Sequence, residues 1–236
     1  SKPLVTAVAL AIPLSFIAAE LSAAVLEEVT VTAQKREESI QDVGIAISAF
    51  TGDQLSQLGW TNAQQVTAMA PGVQPIQPNG EANYAVAIRG VVANDFATNV
   101  ESPVALYIDE VYISQMSGAG FMLYDMERVE ILRGPQGTLF GRNATGGLVH
   151  FITKKPTQEL DGYVMGTVGD YDKYGVEGAI GGGNDLVSAR FAGVINNADG
   201  YITNLYPGEG DLNNANDESY RAHVLFTPTE DLEVLL

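Results

Sequence analysis

Glu127-Arg128-Val129-Glu130-Ile131-Leu132-Arg133-Gly134-Pro135-Gln136-Gly137-Thr138-Leu139-Phe140-Gly141-Arg142-Asn143-Ala144-Thr145-Gly146-Gly147 lies in the middle of this chain, and the fold turns on what it is. Residues 126–132 are strand-like, with Val129, Ile131 and Leu132 among charged neighbours. The part that follows is glycine-rich. A phosphate-cradling loop needs Gly-x4-Gly-Lys-Ser/Thr, and here Gly141 is followed by Arg142 and Asn143, so that chemistry is absent. Gly134, Gly137, Gly141, Gly146 and Gly147 are instead expected to permit tight turns and close packing.

Working outward, short mixed elements flank this run. Residues 43–48 form a strand pattern. Thr51-Gly52-Asp53 turns into a helix ending near Leu58, and Asn62 starts a second one. That second helix is expected to put Val66 and Met69-Ala70 on one face and to stop at Pro71-Gly72. Residues 74–83, with two Pro and a Gly, suggest a loop. Residues 85–89, 104–108 and 148–153 are apolar strand patterns, the last ended by Lys154-Lys155-Pro156. Asp109-Glu110 predicts a turn. It and Asp125/Glu127 are carboxylate pairs of the solvated kind rather than an acid–base couple. His150, within Leu148-Val149-His150-Phe151-Ile152, is better suited to packing than to proton transfer, which needs positioned partners.

After Gly162 the pattern changes to successive strands at 163–168, 173–181, 186–196, 219–226 and 232–236, with a turn at Pro228-Thr229-Glu230. Connections alternate between short turns and one long polar segment, 199–218. Val187, Ala189, Phe191 and Ile195 share one face, opposite Ser188, Arg190 and Ala192. Tyr220, Ala222, Val224 and Phe226 oppose Arg221 and His223, and Tyr174, Val176 and Ile180 oppose Lys173 and Glu177. A membrane barrel and a soluble sandwich both produce this alternation. Single-chain barrels start at about 8 strands, so these strands alone would leave lipid-facing edges unpaired. The expectation is therefore either a soluble protein or the N-terminal piece of a longer one.

At the other end, Lys2 precedes an apolar run from Leu4 to Ala19 that contains Pro13, followed by Ser22-Ala23-Ala24. This is a secretory signal pattern, 1–24, shorter than the ~20 apolar residues a spanning helix needs. Residues 25–39 follow as a tail: Glu28-Val29-Thr30-Val31-Thr32-Ala33 is β-prone, and the polar run behind it is expected to keep it accessible.

Composition closes other doors. Lys+Arg number 12 and Asp+Glu 29, a net charge of −17, which is unlike a nucleic-acid binder. With 2 His and no Cys there is no disulfide framework, thiolate metal site or Cys nucleophile. Charged residues are only 17% of the chain and Gly is 25 of 236, a balance that suits β-rich or membrane-associated proteins.

Four motifs in order resemble the TonB-dependent outer-membrane receptors. They are the 127–147 run, Ala87-Ile88-Arg89-Gly90, Pro103-Val104-Ala105-Leu106-Tyr107-Ile108-Asp109-Glu110-Val111-Tyr112, and Glu28 to Ala33 as a TonB box. The resemblance implies an α+β plug domain (a small mixed sheet with short helices), followed by antiparallel strands of an incomplete transmembrane β-barrel. In the family the plug sits inside a barrel of about 22 strands. It implies domains 1–24 (signal), 25–39 (TonB-box tail), 40–156 (plug) and 157–236 (first barrel strands, truncated). In such a setting the Asn143-Ala144-Thr145 sequon carries no meaning.

The function implied is TonB-coupled import of a scarce ligand, most commonly a ferric siderophore, with cobalamin, haem, other metals and carbohydrates as rivals. Glu28, Val29, Thr30, Val31, Thr32 and Ala33 would meet the TonB C-terminal domain by strand addition. Arg89 and Arg133 would pair with barrel carboxylates and anchor the plug. Gly90 belongs with the signature turns. Expected partners are TonB, outer-membrane lipid and a small ligand; no cofactor, resident metal, nucleic acid or enzyme activity is expected. The alternative is a soluble periplasmic plug-like module that binds or signals without transport.

Overall fold

The computed structural model describes residues 29–33, 35–77, 83–93, 95, 97, 100–117, 119–208 and 210–236. The expected signal segment 1–24 and Glu28 of the expected TonB box lie outside the described residues, as does part of the 74–83 loop. Two short strands open the chain, β1 (Thr30–Val31) and β2 (Glu38–Ser39), followed by β3 (Ala46–Thr51). Helices α1 (Gly52–Gln57) and α2 (Ala63–Ala68) come next, then β4 (Val73–Ile76), β5 (Ala85–Ile88), β6 (Val104–Ile108) and β7 (Val111–Tyr112). β8 (Met126–Arg133), α3 (Gly137–Phe140) and β9 (Gly147–Thr153) complete the first unit. The second is β10 (Asp161–Val168), β11 (Tyr174–Gly183), β12 (Val187–Ala198), β13 (Ala215–Thr229) and β14 (Leu232–Leu235).

Both longer helices start where a side chain can satisfy free amides. Thr51 Oγ1 accepts from Gln54 N at 3.3 Å while Gln54 Oε1 accepts from Thr51 N at 3.1 Å. Asn62 and Gln65 repeat this capping box. Helix α2 buries Val66, and Ala70 just after it is buried too, but Met69 is 61% exposed and leaves the face the sequence pattern assigns to it. Residues 73–76 are a strand rather than loop. Pro75 is accommodated because β4 pairs only with β5, and an edge strand has no ladder bond to lose on its free side.

The central sheet runs β3-β8-β9-β6-β7, with β6 parallel to β9 and the other pairs antiparallel. One face packs on α1, α2 and β4–β5 through Leu55, Val66, Tyr84, Ile88, Ile131 and Phe151. The other face holds Leu132, Phe140, Leu148, Val31 and Ala33. Coverage on both faces explains why β9 is buried at every residue and why its sequence is apolar almost throughout. Burial pushes the Tyr84 phenol far above its ordinary value; its hydroxyl donates to Ala63 O and shares a 2.7 Å bond with Thr67 Oγ1.

Strands β10 to β14 form an antiparallel meander in chain order. On β12, Ser188, Arg190, Ala192 and Val194 are buried against the first unit, while Val187, Phe191 and Ile195 face outward. Outward Val176, Ile180, Tyr220, Val224 and Phe226 continue this exposed apolar surface. The alternation agrees with the sequence. The boundaries of β13 differ, since it absorbs 215–218 and carries Pro228 within the strand, where the register shifts between Phe226 and Thr229. A bulge is where a strand tolerates proline.

Candidate functional site

The two units meet at Tyr124-Asp125, just before β8. Arg190 of β12 forks onto the Asp125 carboxylate, Nη2 to Oδ1 at 2.5 Å and Nε to Oδ2 at 2.8 Å. Its remaining Nη1 donates to Asp161 Oδ2 at 3.1 Å. The Arg190 and Asp125 side chains are 3% and 1% exposed. Arg221 of β13 adds bonds to the Tyr124 and Asp125 carbonyls at 3.1 and 3.0 Å, and its guanidinium lies 4.7 Å from the Tyr124 ring centre. Glu177 of β11 accepts from Asp125 N at 3.1 Å and from Tyr163 Oη at 2.5 Å. A short, directional, charge-assisted cluster of this kind fixes orientation as well as position.

This corrects the sequence expectation for Asp125, which is buried rather than solvated. Asp109 differs too: its carboxylate accepts from Thr153 N at 2.9 Å and from Thr153 Oγ1, which holds the turn to the end of β9. The wall partners Arg190, Arg221 and Glu177 carried no motif. Their only signal was charge on the inward face of alternating strands. Beside the junction runs a crevice of about 380 Å³ between β10 and the helices, lined by Trp60, Tyr124, Tyr163, Met165 and Lys173 among others.

The N-terminal strand is placed differently from expectation. Val31 is 0% and Ala33 1% exposed, and both enter the core beneath the central sheet. β1 pairs with β2, Thr30 opposite Ser39 and Val31 opposite Glu38. Thr32 N donates to Glu130 Oε1 at 2.7 Å. The segment is therefore sequestered here rather than accessible. The polar run behind it folds back as β2, and Glu130 reaches it from 98 residues away.

Arg89 and Arg133 converge on the Pro71-Gly72 turn. Arg133 donates to Pro71 O at 3.0 Å and Ile47 O at 3.1 Å, and its Nε is buried without a partner. Arg89, with φ +51°, donates its amide to Gly72 O at 2.8 Å, and its side chain runs beside Gly134. Among the described residues no carboxylate pairs with either guanidinium.

At Gly147, φ is +143° and a Cβ would come 2.3 Å from Leu132 O; at Gly146 it would meet Val91 Cγ1 at 2.8 Å. Gly90, Gly134 and Gly141 have positive φ, Gly141 as the residue that ends α3, and Gly137 opens that helix. His150 packs between Tyr107 and Phe140 with Nε2 against the Asp109 carbonyl. Among the described residues no group of three or more His, Asp or Glu gathers as metal ligands.

A small mixed-sheet domain pinned by buried ion pairs to the inner face of an outwardly apolar meander defines a plug seated against a membrane barrel wall. Residues 39–148 match the family described as TonB-dependent Receptor Plug Domain. The pesticin receptor of Yersinia pestis is 34% identical over 148 residues, 61% of this chain and 21% of that protein. The vitamin B12 transporter BtuB of Vibrio vulnificus is 26% identical over 207 residues, 85% of this chain and 32% of that protein. The solved structure of the ferric yersiniabactin uptake receptor FyuA from Yersinia pestis aligns with TM-score 0.71 at 26% identity, over 79% of this chain and 29% of that one. Residues 39–148 are thus a plug domain of the TonB-dependent receptor family, and the strands after them follow the same likeness to outer-membrane receptors of that family. It spans 21–32% of the length of the two curated relatives named above.

Proposed function

We propose that this chain supplies the TonB-box tail (25–39), plug (40–156) and first barrel strands (157–236) of an importer that TonB energises and whose cargo is a ferric siderophore. The observation that carries the reading is the junction itself. A domain clamped at Asp125 to the inner face of strands with apolar outer faces suits a plug that must be held, yet move. The outward row of Val176, Ile180, Phe191 and Val224 argues for lipid and against the soluble module, since a sandwich would cover that face.

Ligand binds from outside, on the plug apices and barrel loops, and residues 28–33 are then offered to the TonB C-terminal domain in the periplasm. Main-chain bonds give that strand its grip. Arg89 and Arg133 await carboxylates on the rest of the barrel; their convergence at one corner, with no anionic partner among the described residues, supports this. The signature glycines let the plug turn tightly inside the lumen. A ferric cargo is favoured by the relatives named for ferric yersiniabactin and ferrioxamine B; BtuB makes cobalamin the rival.

The test is uptake by cells that lack their own receptors and express the full-length receptor. Radio-iron yersiniabactin and ferrioxamine B and labelled cyanocobalamin serve as probes, with and without TonB. TonB-dependent uptake of a ferric probe is expected. Cobalamin uptake alone would overturn the cargo, and uptake indifferent to TonB would overturn the mechanism.

A further inference from the structure

Glu130 is 0% exposed, yet no part of the plug–wall junction uses it. Its Oε1 takes three donors: Thr32 N at 2.7 Å, Thr32 Oγ1 at 3.2 Å and Arg128 Nε at 2.8 Å. Arg128 Nη2 closes the ring by donating to Thr32 Oγ1 at 3.2 Å. Both contacts to Thr32 bind the strand between two residues whose side chains fill the core, Val31 and Ala33. We infer that Glu130 is a positioning residue, the catch that holds the TonB-box segment against the plug and keeps it from TonB. This rests on reading residues 28–33 as the strand that TonB takes.

The arrangement is suited to release. A carboxylate that bonds an amide N–H fixes the register of an extended chain, and among the described residues no other side chain is bonded to Thr32 N. β1 has only two residues paired with β2, too short a ladder to hold the segment by itself. Glu130 Oε2 is buried without a partner, and so is Nδ1 of His150, its register partner across β8 and β9. The catch therefore holds with one oxygen, leaving the other in an unfavourable state that a fully satisfied pair would not have. Arg128 also pairs with Glu127, so it keeps an anionic partner if Glu130 lets go.

The test uses the full-length receptor in detergent, in two single-thiol backgrounds. Val31→Cys reports segment release, and Ala105→Cys, equally buried in the same core, reports general loosening. Glu130→Gln keeps the shape and removes the charge. It should speed maleimide labelling of the thiol at position 31 on the order of 10-fold, the value of a charge-assisted bond, without speeding labelling at position 105. The affinity of purified TonB C-terminal domain should rise by a similar factor. Unchanged labelling at position 31 overturns the catch. If labelling at position 105 rises too, Thr32→Val decides. It leaves the plug core alone and removes the hydroxyl contacts, so it must raise labelling at position 31 by a smaller factor, and no rise overturns the proposal. Faster labelling with no TonB binding in either form leaves the catch standing and overturns the TonB-box reading instead.

Discussion

Asp125 and Arg190 meet as a buried two-point ion pair across 65 residues of chain, the shortest contact between the plug and the strands beside it among the described residues. The plug contributes the anion and the wall the cation. Removing one member leaves the other buried and uncompensated, which costs about 3–5 kcal/mol. Asp125→Asn should therefore lower the unfolding midpoint of the full-length receptor and let large antibiotics leak through the outer membrane. Arg190→Lys keeps charge but loses the fork, so its loss should be smaller. Equal effects from both, or none, would show that geometry at this junction is unimportant.

Outward and inward positions on β12 should answer oppositely to charge. Phe191→Arg puts a cation in lipid at about 2–4 kcal/mol near the midplane, and should deplete the heat-modifiable folded band on gels. Arg190 tolerates its charge one residue earlier because it points to Asp125. Loss of folded receptor for Phe191→Arg and not for Glu177→Gln would separate the lipid face from the plug face.

The glycines of the 134–147 run are not equivalent. Gly147→Ala sets a Cβ against Leu132 O at a backbone angle hostile to alanine, and should cost at least ~1–3 kcal/mol in chemical denaturation. Gly137→Ala meets nothing within 4 Å and opens a helix, so it should be neutral or stabilising by up to ~1 kcal/mol.

Tyr84 predicts an alkaline effect. Burial raises its folded pKa above the unfolded phenol value of about 10. Above that pH the unfolded chain loses a proton that the folded one keeps, so stability is full below pH ~10 and falls as pH rises beyond it. Tyr84→Phe should flatten that decline in denaturant midpoints measured between about pH 9 and 11, a range set by the ~10 reference value. It should also cost about 1 kcal/mol at neutral pH, through the lost bonds to Thr67 and Ala63.

The wall was readable in the sequence because alternation is a local signal: Phe191 and Arg190 declare their faces without knowing their neighbours. The capped helices were readable for the same reason, Thr51 and Asn62 each finding a glutamine three residues on. Asp125 was not, because Glu127 beside it looks like a solvated turn and its partners lie 65 and 96 residues ahead. Nor was the burial of Val31. A β-branched pair in polar surroundings looks accessible until Glu130 arrives from the far side of the domain to bind the next amide. Pairings across such spans depend on tertiary register, which no local pattern encodes.

Whether the N-terminal strand couples this plug to TonB is tested most directly by Val31→Pro in the full-length receptor, with ferric siderophore binding at the cell surface and uptake measured side by side. Proline removes a main-chain donor from the strand that partner pairing needs. Surface binding should persist while uptake falls to the level of cells without TonB. Uptake equal to that of the unaltered receptor would contradict the account.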